Sequence, residues 1–227
     1  MIRGRVWLAI ALLTAGAIAL HRSWVPPAWD PTVPLDLQAP RTPVTRLKLA
    51  LLQRDPALCR AALATASAPI VPAPGLARGA CPVTDAVRVS GGPVTTAPSS
   101  FLASCPLAVS WVMFETDVAR PLARAHFGSD LVRIDHLGTY ACRDVRNEPG
   151  RLSAHARANA IDVSAFVLST GRTIPVSHWR GHDADAAFLH DLRDRACSLF
   201  GIVLSPDYDS LHANHLHLQA GGFGLCR

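Results

Sequence analysis

Histidine and aspartate recur at short spacings in two stretches of this sequence. The first stretch, residues 153–166 (SAHARANAIDVSAF), contains His155 and Asp162. The second, residues 211–219 (LHANHLHLQ), contains three histidines, His212, His215 and His217. Imidazole nitrogens and carboxylate oxygens are common ligands of zinc. The two stretches therefore predict a metal site to which both contribute.

His155 and Asp162 can bind one ion only if they do not lie on the same helix. Seven helical residues would separate their Cα atoms by roughly 10 Å along the helix axis, whereas zinc–ligand bonds are only about 2 Å long. The sequence instead predicts a loop over residues 153–159, followed by a strand that contains Asp162. A loop residue and a strand residue can converge on one ion.

His215 and His217 are two residues apart, and on a strand such residues point to the same face. Together with His155 and Asp162, one of these two histidines would complete a His₂Asp site. Three protein ligands leave the fourth position of a tetrahedral zinc ion open, as in catalytic zinc sites. The spacing does not choose between His215 and His217.

The elements that must position these residues are predicted from hydrophobic periodicity. Helical spacing predicts three helices, the second kinked or interrupted at Pro121, over residues 42–66, 104–127 and 184–200. Apolar runs between turn residues predict strands over residues 85–89, 131–134, 139–142, 160–168, 172–176, 202–204 and 215–218. The predicted class is α+β, with an antiparallel sheet flanked by helices.

The first 22 residues predict export from the cytoplasm. A short segment with two arginines, residues 1–5, precedes a weakly apolar run at residues 6–20. The length of this run suits a signal peptide better than a membrane-spanning helix, which needs about twenty residues. Ala17 and Ala19 offer a cleavage site, whereas residues 21–27 resemble the flank of an uncleaved anchor. We expect residues 1–22 to be a signal peptide or a membrane anchor. The rest of the chain would lie in the periplasm or on the periplasmic side of the inner membrane.

Proline dominates the segment that follows the apolar run. Six prolines fall between residues 23 and 43, which predicts an extended spacer over residues 23–41 rather than a folded unit. The remaining residues, 42–227, are enough to bury one core of ordinary size. We therefore predict a single domain after the spacer.

Six cysteines in an exported protein predict three disulfides. Because none falls in a C-x-x-C pair, cysteine-ligated zinc is disfavoured. Pairing between neighbours along the chain predicts the bonds Cys59–Cys81, Cys105–Cys142 and Cys197–Cys226.

The charge pattern disfavours a nucleic-acid partner. The net charge is +5, and all but one of the 22 basic residues are arginine. These arginines are scattered, without the run or stripe that a phosphate backbone requires. We expect no binding to nucleic acid.

Four separated motifs occur in order along the chain. They are TYACR (139–143), SAHARANAID (153–162), PDY (206–208) and HANHLH (212–217). Within them, S-x-H at residues 153–155, Asp162 and H-x-H at residues 215–217 resemble the zinc peptidases that include D-Ala-D-Ala carboxypeptidases, D-Ala-D-Ala dipeptidases and murein endopeptidases. Through all four motifs the chain is more closely similar to the bacterial extensin-like C-terminal domain family, over roughly residues 40–227. Several motifs in order are more specific than a lone H-x-H.

This resemblance implies a role for each member of the candidate site. The implied Zn²⁺ ligands are His155, Asp162 and His217. His215 is implied to lie beside the reacting water or substrate, with His212 also lining the site. Arg143 resembles an arginine that stabilises the oxyanion in related dipeptidases.

Two positions depart from the pattern of the related enzymes. Those enzymes usually have glycine where this chain has Ala158, and a carboxylate, taken as the general base, where it has Asn214. An amide cannot accept a proton from water at neutral pH. If the chain is active, His215 or His212 must accept that proton instead.

The function that the sequence predicts is a periplasmic zinc-dependent peptidase that acts on peptidoglycan stem peptides or cross-links. A catalytically weak, zinc-containing module that binds peptidoglycan is the alternative that Asn214 favours. A structural envelope protein that relies on its disulfides alone is the third. The sequence leaves open which peptide bond would be cut.

Overall fold

A computed structural model describes residues 6–7, 10–13, 15–16, 21–73, 75, 80–146 and 148–227 of the chain. The N-terminal segment 1–5 and the predicted cleavage site at Ala17 and Ala19 lie outside the described residues. Within these ranges, no helix combines the length and the apolar composition needed to cross a membrane.

The first predicted helix, over residues 42–66, is two helices, α1 (Pro43–Leu52) and α2 (Pro56–Leu63). The break falls before Pro56, because proline has no N–H to donate and its ring clashes with the preceding turn. The Asp55 side chain then caps α2 by accepting hydrogen bonds from two backbone N–H groups at the start of that helix.

The predicted helix over residues 104–127 is present but interrupted. α3 (Cys105–Phe114) and α4 (Arg120–Phe127) are joined by a π-helical turn, Glu115–Ala119. This turn ends two residues before Pro121, which supplies no N–H to the helix, so the interruption lies where the proline predicted it. α5 (Ala184–Ala196) ends four residues before the predicted boundary.

Twelve strands occur in the described part of the chain: β1 (Ile70–Pro72), β2 (Ala86–Ser90), β3 (Thr95–Ala97), β4 (Ser100–Ser104), β5 (Leu131–Gly138), β6 (Asp144–Val145), β7 (Glu148–Leu152), β8 (Ala160–Leu168), β9 (Thr173–Pro175), β10 (Ile202–Leu204), β11 (Leu216–Gln219) and β12 (Leu225–Cys226). They form a 3-stranded sheet, a 7-stranded sheet and the β6–β7 pair. The larger sheet has the order β12-β10-β11-β8-β5-β3, with β9 beside β8. This organisation confirms the predicted α+β class.

Two details of the sheet prediction are wrong. The 7-stranded sheet is mixed, because β3 pairs with β5 and β10 pairs with β12 in parallel. Residues 139–142 are irregular rather than a strand. They follow Gly138, whose positive φ of 123° ends β5 at a position that favours glycine.

The core lies between the 7-stranded sheet and the helices. Phe188 of α5 makes edge-to-face contacts with Phe166 of β8 at 5.4 Å and with Phe127 of α4 at 5.3 Å. Helix α3 is almost wholly buried, which is why its sequence is apolar on all sides. The helices therefore cover one face of β8 and leave the other face available for polar side chains.

All six cysteines form disulfides, as predicted, and the bonds are Cys59–Cys105, Cys81–Cys142 and Cys197–Cys226. The last was predicted correctly, and the other two predicted pairings were wrong. Helix α2, which contains Cys59, packs against α3, which begins at Cys105. Neighbours along the chain are therefore not the neighbours in space.

Part of the proline-rich segment, predicted as an extended spacer over residues 23–41, packs on the domain. Leu35 and Leu37 are buried, and the Leu37 N–H donates to Thr65 Oγ1. Lys48 of α1 donates to the Pro27 carbonyl oxygen at 2.7 Å. Leu35 and Leu37 belong to the same hydrophobic core as Leu49 and Leu52 of α1, so this part of the segment packs on the domain. The domain boundary at residue 42 stays a prediction.

Candidate metal centre

The pairing of β8 with β11 brings Asp162 and His217 together. The two residues are direct partners in the antiparallel register, and His217 Nδ1 lies 3.0 Å from Asp162 Oδ1. Ile161 and Val163, on either side of Asp162, are fully buried in the core. Because side chains alternate along a strand, Asp162 points to the opposite face. The strand register alone therefore places these two side chains together.

His155 completes the cluster from a short 3₁₀ helix, Ala154–Arg157, just before β8. Its Nε2 atom lies 3.1 Å from His217 Nδ1 and 3.4 Å from Asp162 Oδ1. Two ligand atoms bound to one tetrahedral zinc ion would be roughly 3.3 Å apart, given bonds of about 2.0–2.1 Å. The structure thus brings together the three residues of the predicted ligand set, at separations that fit zinc.

The hydrogen bonds of the cluster favour a cation over a proton. His155 Nδ1 donates to the Thr139 carbonyl oxygen at 3.1 Å, so the other nitrogen of a neutral His155 presents a lone pair. Asp162 adds a carboxylate oxygen. One proton on His217 Nδ1 could satisfy only one of these two acceptors. A divalent metal ion would satisfy all three atoms, and a His–carbonyl bond of this kind is typical of metal ligands.

The electrostatics of the cluster keep Asp162 ionised. Burial alone would raise the pKa of Asp162, but hydrogen bonds and Coulombic attraction from His155 and His217 lower it well below its usual range. The Asp162 side chain is 19% exposed, and those of His155 and His217 are 6% and 12% exposed. A negative charge held in such a shielded place favours a cation.

His215 lies just before β11, so the prediction that His215 and His217 share a strand is wrong. Its ring nevertheless faces the cluster, with Nε2 3.7 Å from Asp162 Oδ1. His215 Nδ1 donates to Asn214 Oδ1 at 3.1 Å, which leaves Nε2 unprotonated. Burial lowers the pKa of His215, and neighbouring imidazoles lower it further against the opposing effect of Asp162. The ring is therefore neutral at pH 7.

His212 lies in a layer outside the cluster. Its Nδ1 donates to Asp209 Oδ1 at 2.7 Å, and its ring contacts the rings of His215 and Tyr208 at 5.1 and 5.5 Å. The same Asp209 oxygen also accepts the backbone N–H of His212. His212 is thus held by one carboxylate and packs on the ring that faces the cluster.

The structure does not bring Arg143 into the cluster. Its guanidinium is exposed and donates to the Asp144 carbonyl oxygen at 3.4 Å. Its backbone carbonyl accepts the Ser153 N–H at 3.0 Å, which joins the segment of Arg143 to the loop of His155. Arg143 therefore lies beside the site, with its side chain in solvent.

Sequence reasoning missed the residues that orient the histidines. Thr139 is buried and its carbonyl oxygen holds His155, whereas Asp209 holds His212. Thr139 belongs to the motif TYACR, so the sequence did indicate that this segment matters to the site. A backbone carbonyl has no side-chain signature, so its role could not be predicted.

The backbone at Ala158 has a conformation that favours glycine, the residue expected at this position from the resemblance. Ala158 is fully buried with φ 49° and ψ 35°, in the left-handed region just after the 3₁₀ helix of His155. An L-residue in this conformation costs roughly 1–2 kcal/mol. Ala158 belongs to a small buried cluster with Val83 and Ala86, and the burial of its methyl group there offsets part of that cost.

The comparisons with known proteins give one result. No curated protein and no solved structure matches this chain, so the relation to D-Ala-D-Ala peptidases stays a prediction. A protein family described as extensin-like protein C-terminus matches residues 57–227. The match includes the three cluster residues, the loop histidines and all six cysteines. Because it covers well over half of the sequence, the chain belongs to the extensin-like protein C-terminus family.

Proposed function

We propose that this protein is a zinc-dependent peptidase that acts on peptidoglycan stem peptides or cross-links. The observation that carries the proposal is the cluster of His155 Nε2, Asp162 Oδ1 and His217 Nδ1, three potential ligand atoms that lie 3.0 to 3.4 Å from one another. Three protein ligands are the number that catalytic zinc sites use. A zinc ion there would polarise a peptide carbonyl group and lower the pKa of water to about 7.

His215 is the proposed proton acceptor. Its Nε2 atom is unprotonated and faces Asp162, so it can take a proton from the attacking water and return it to the leaving amine. Because the pKa of His215 is lowered by burial, the ring stays neutral and able to accept at pH 7.

Asn214 positions His215 rather than acting as a base. Its side-chain oxygen accepts the His215 Nδ1–H and so selects the tautomer in which Nε2 faces the cluster. A general acid or base is typically worth about 10²–10⁴-fold in rate. Because an imidazole would here do the work of the carboxylate base, we expect a slow enzyme.

The proposed substrate contacts come from residues outside the cluster. Arg143 is exposed beside the His155 loop and forms no ion pair with any described residue, so its charge is available to an oxyanion or to a substrate carboxylate. His212 and the half-exposed ring of Tyr208, which contact each other at 5.5 Å, are the other proposed substrate contacts. Stem peptides carry free carboxylates, which suits such an arginine.

We further propose that the domain works outside the cytoplasm, as the apolar run at residues 6–20 and the three disulfides support. A reporter enzyme that is active only in the periplasm, fused after Arg227, should be active. A cytoplasmic reporter at the same point that is active instead would contradict export.

The peptidase proposal is tested with sacculi and purified cross-linked muropeptides. The zinc-loaded protein should release peptides slowly, as mass analysis of the products would show. Asn214→Asp should raise turnover by about tenfold or more, because it restores a carboxylate base. His215→Ala should lower turnover, whereas His182→Ala, which changes an exposed histidine elsewhere, should not.

A zinc-containing module that binds peptidoglycan is the second candidate, and Asn214 is the observation that favours it. One outcome of the same test is that wild type and Asn214→Asp both bind zinc and sacculi and yet leave every muropeptide intact. That result would exclude the peptidase and support the binding module.

A further inference from the structure

A second surface, outside the candidate metal centre, combines exposed apolar and basic side chains. Leu47 and Leu51 on α1 and Phe223 in the loop after β11 are 50%, 39% and 83% exposed, and all three line one groove between α1 and residues 220–224. Gln53 joins the two sides by donating to the Ala220 carbonyl oxygen at 3.0 Å. Single exposed apolar residues are ordinary, but a contiguous group indicates a contact site.

The charge of this groove indicates an anionic partner. Arg46 and Arg54 line it, and no aspartate or glutamate is among its lining residues. Neither arginine forms an ion pair with any residue that the structure describes. Two uncompensated guanidinium groups beside apolar side chains match a partner that is both anionic and apolar.

The groove continues into the segment that leads back to the apolar N-terminal run. Leu51 also lines a crevice with Pro31 and Val33, and the turn before these residues is held to α1 through Lys48. Trp24 and Trp29 in this segment are 66% and 52% exposed. Tryptophan is enriched at membrane–water interfaces, where its ring lies at the level of the headgroups.

We infer that the groove and these tryptophans form a membrane-facing surface that rests on a bilayer containing anionic phospholipid. Apolar side chains with flanking arginines are the composition by which proteins bind such interfaces. The inference rests on the proposed export and on the anchor alternative for residues 1–22, since an uncleaved apolar run at residues 6–20 would bring this surface to the bilayer. It does not depend on zinc or on peptidase activity.

A second copy of the chain suits the surface less well. A two-fold dimer would place the same patch on both sides of the interface. Arg46 and Arg54 would then face like charges without a carboxylate among the lining residues to compensate them. A bilayer that contains phosphatidylglycerol supplies the opposite charge.

The test uses the full chain reconstituted in vesicles of phosphatidylcholine, with or without phosphatidylglycerol, whose acyl chains carry bromine. Bromine quenches indole fluorescence at close range. Phe223→Trp adds an indole to the membrane-facing surface, and Leu137→Trp adds one at an exposed position of β5, where leucine is 62% exposed. With anionic lipid, the added emission at residue 223 should be quenched and that at residue 137 should not. Equal quenching at both positions would overturn the inference.

The role of the arginines is tested in the Phe223→Trp background. Each basic residue near an anionic surface strengthens association about fivefold, so Arg46→Glu with Arg54→Glu, which removes two positive charges and adds two negative ones, should weaken docking by at least about 25-fold. Arg88→Glu, at an exposed position of β2, should leave docking unchanged. Docking that survives the double change would exclude anionic lipid as the partner. A dimer in detergent that Phe223→Ser dissociates would assign the surface to a second copy instead.

Peptidase turnover separates this inference from the proposed function. The groove variants should cleave soluble muropeptides at the wild-type rate in detergent, because none of the changed residues contacts the metal centre. If wild type cleaves muropeptides but does not dock on the vesicles, the membrane inference fails and the peptidase proposal stands. If it docks but does not cleave, the peptidase proposal fails and the membrane inference stands.

Discussion

The inner and outer halves of the candidate site are held in different ways. Asp162 and His217 lie on paired strands, and His155 on a turn fixed by a backbone carbonyl. The outer residues, His212, Asn214, His215 and Arg143, lie in turns and irregular segments. A sheet register can hold ligands at fixed separations, whereas loops tolerate substitution. A substitution in the outer half, such as the predicted replacement of a carboxylate by Asn214, should therefore leave the inner cluster undisturbed.

The largest effect is expected from a change in the inner half of the site. His217→Ala removes one of three ligands and should lower zinc affinity by more than about 100-fold, since even changes to groups that orient ligands cost 10–100-fold. His215→Ala should retain most of the metal, because its Nε2 atom is 3.7 Å from Asp162 Oδ1 and outside the triad. Metal analysis after dialysis measures the zinc that each of the two variants retains. The ligand assignment is reversed if His215→Ala loses zinc and His217→Ala keeps it.

The next effect concerns the Cys81–Cys142 disulfide, which anchors the segment whose Thr139 carbonyl orients His155. Replacing both cysteines with serine should cost about 2–4 kcal/mol in free energy of unfolding. It should also lower zinc affinity about tenfold. Urea unfolding and zinc titration provide the two measurements.

The Cys197–Cys226 disulfide is the matched control for this change. It joins the end of α5 to β12, so replacing both of its cysteines with serine should also destabilise the fold. Zinc affinity should stay at the wild-type value. Equal zinc affinities for the two double variants would show that the first disulfide does not orient the site.

A buried carboxylate outside the site gives a third prediction. Burial raises the pKa of Glu115 from 4.5 to about 7, although a hydrogen bond from the Val94 N–H opposes this effect. Because the folded-state pKa is raised, its stabilisation is complete below pH 4.5 and is lost as the pH rises through about 7. The loss should reach about 3 kcal/mol at pH 9.

The control for Glu115 is a variant that cannot ionise there. Glu115→Gln should show no such loss between pH 5 and pH 9 in thermal or urea unfolding, whereas Glu148→Gln, at an exposed position of β7, should behave as wild type. The assignment to Glu115 fails if the glutamine variant keeps the wild-type pH dependence.

The smallest expected effect is that of Ala158→Gly in the turn of His155. Glycine removes the cost of a left-handed alanine, roughly 1–2 kcal/mol. It also loses a buried methyl group and increases the entropy of the unfolded chain, at about 0.5–1 kcal/mol each. The free energy of unfolding should therefore change by less than about 1 kcal/mol, with zinc affinity unchanged. A large loss of stability would mean that the burial of the methyl group in the cluster with Val83 and Ala86 dominates.

Local patterns predicted the elements that depend on local interactions. β8 and β10 have the predicted bounds, and the predicted helix over residues 104–127 is present, with its interruption near Pro121. Asp162 lies on a strand, as predicted, and the structure shows its neighbours Ile161 and Val163 buried in the core. The segment 139–142 escaped prediction, since its apolar run resembles a strand and only Gly138 and the tertiary contacts end β5 before it.

The residue types, the spacing of the two histidine stretches and the period of β8 were determined by the sequence alone, because alternation and turn chemistry act between near neighbours. The register of β11 against β8, the carbonyl of Thr139 that orients His155 and two of the three disulfides were decided only by the tertiary structure. These features join residues far apart in the chain. Their pairing depends on how helices and strands pack around one core, and no local pattern encodes it.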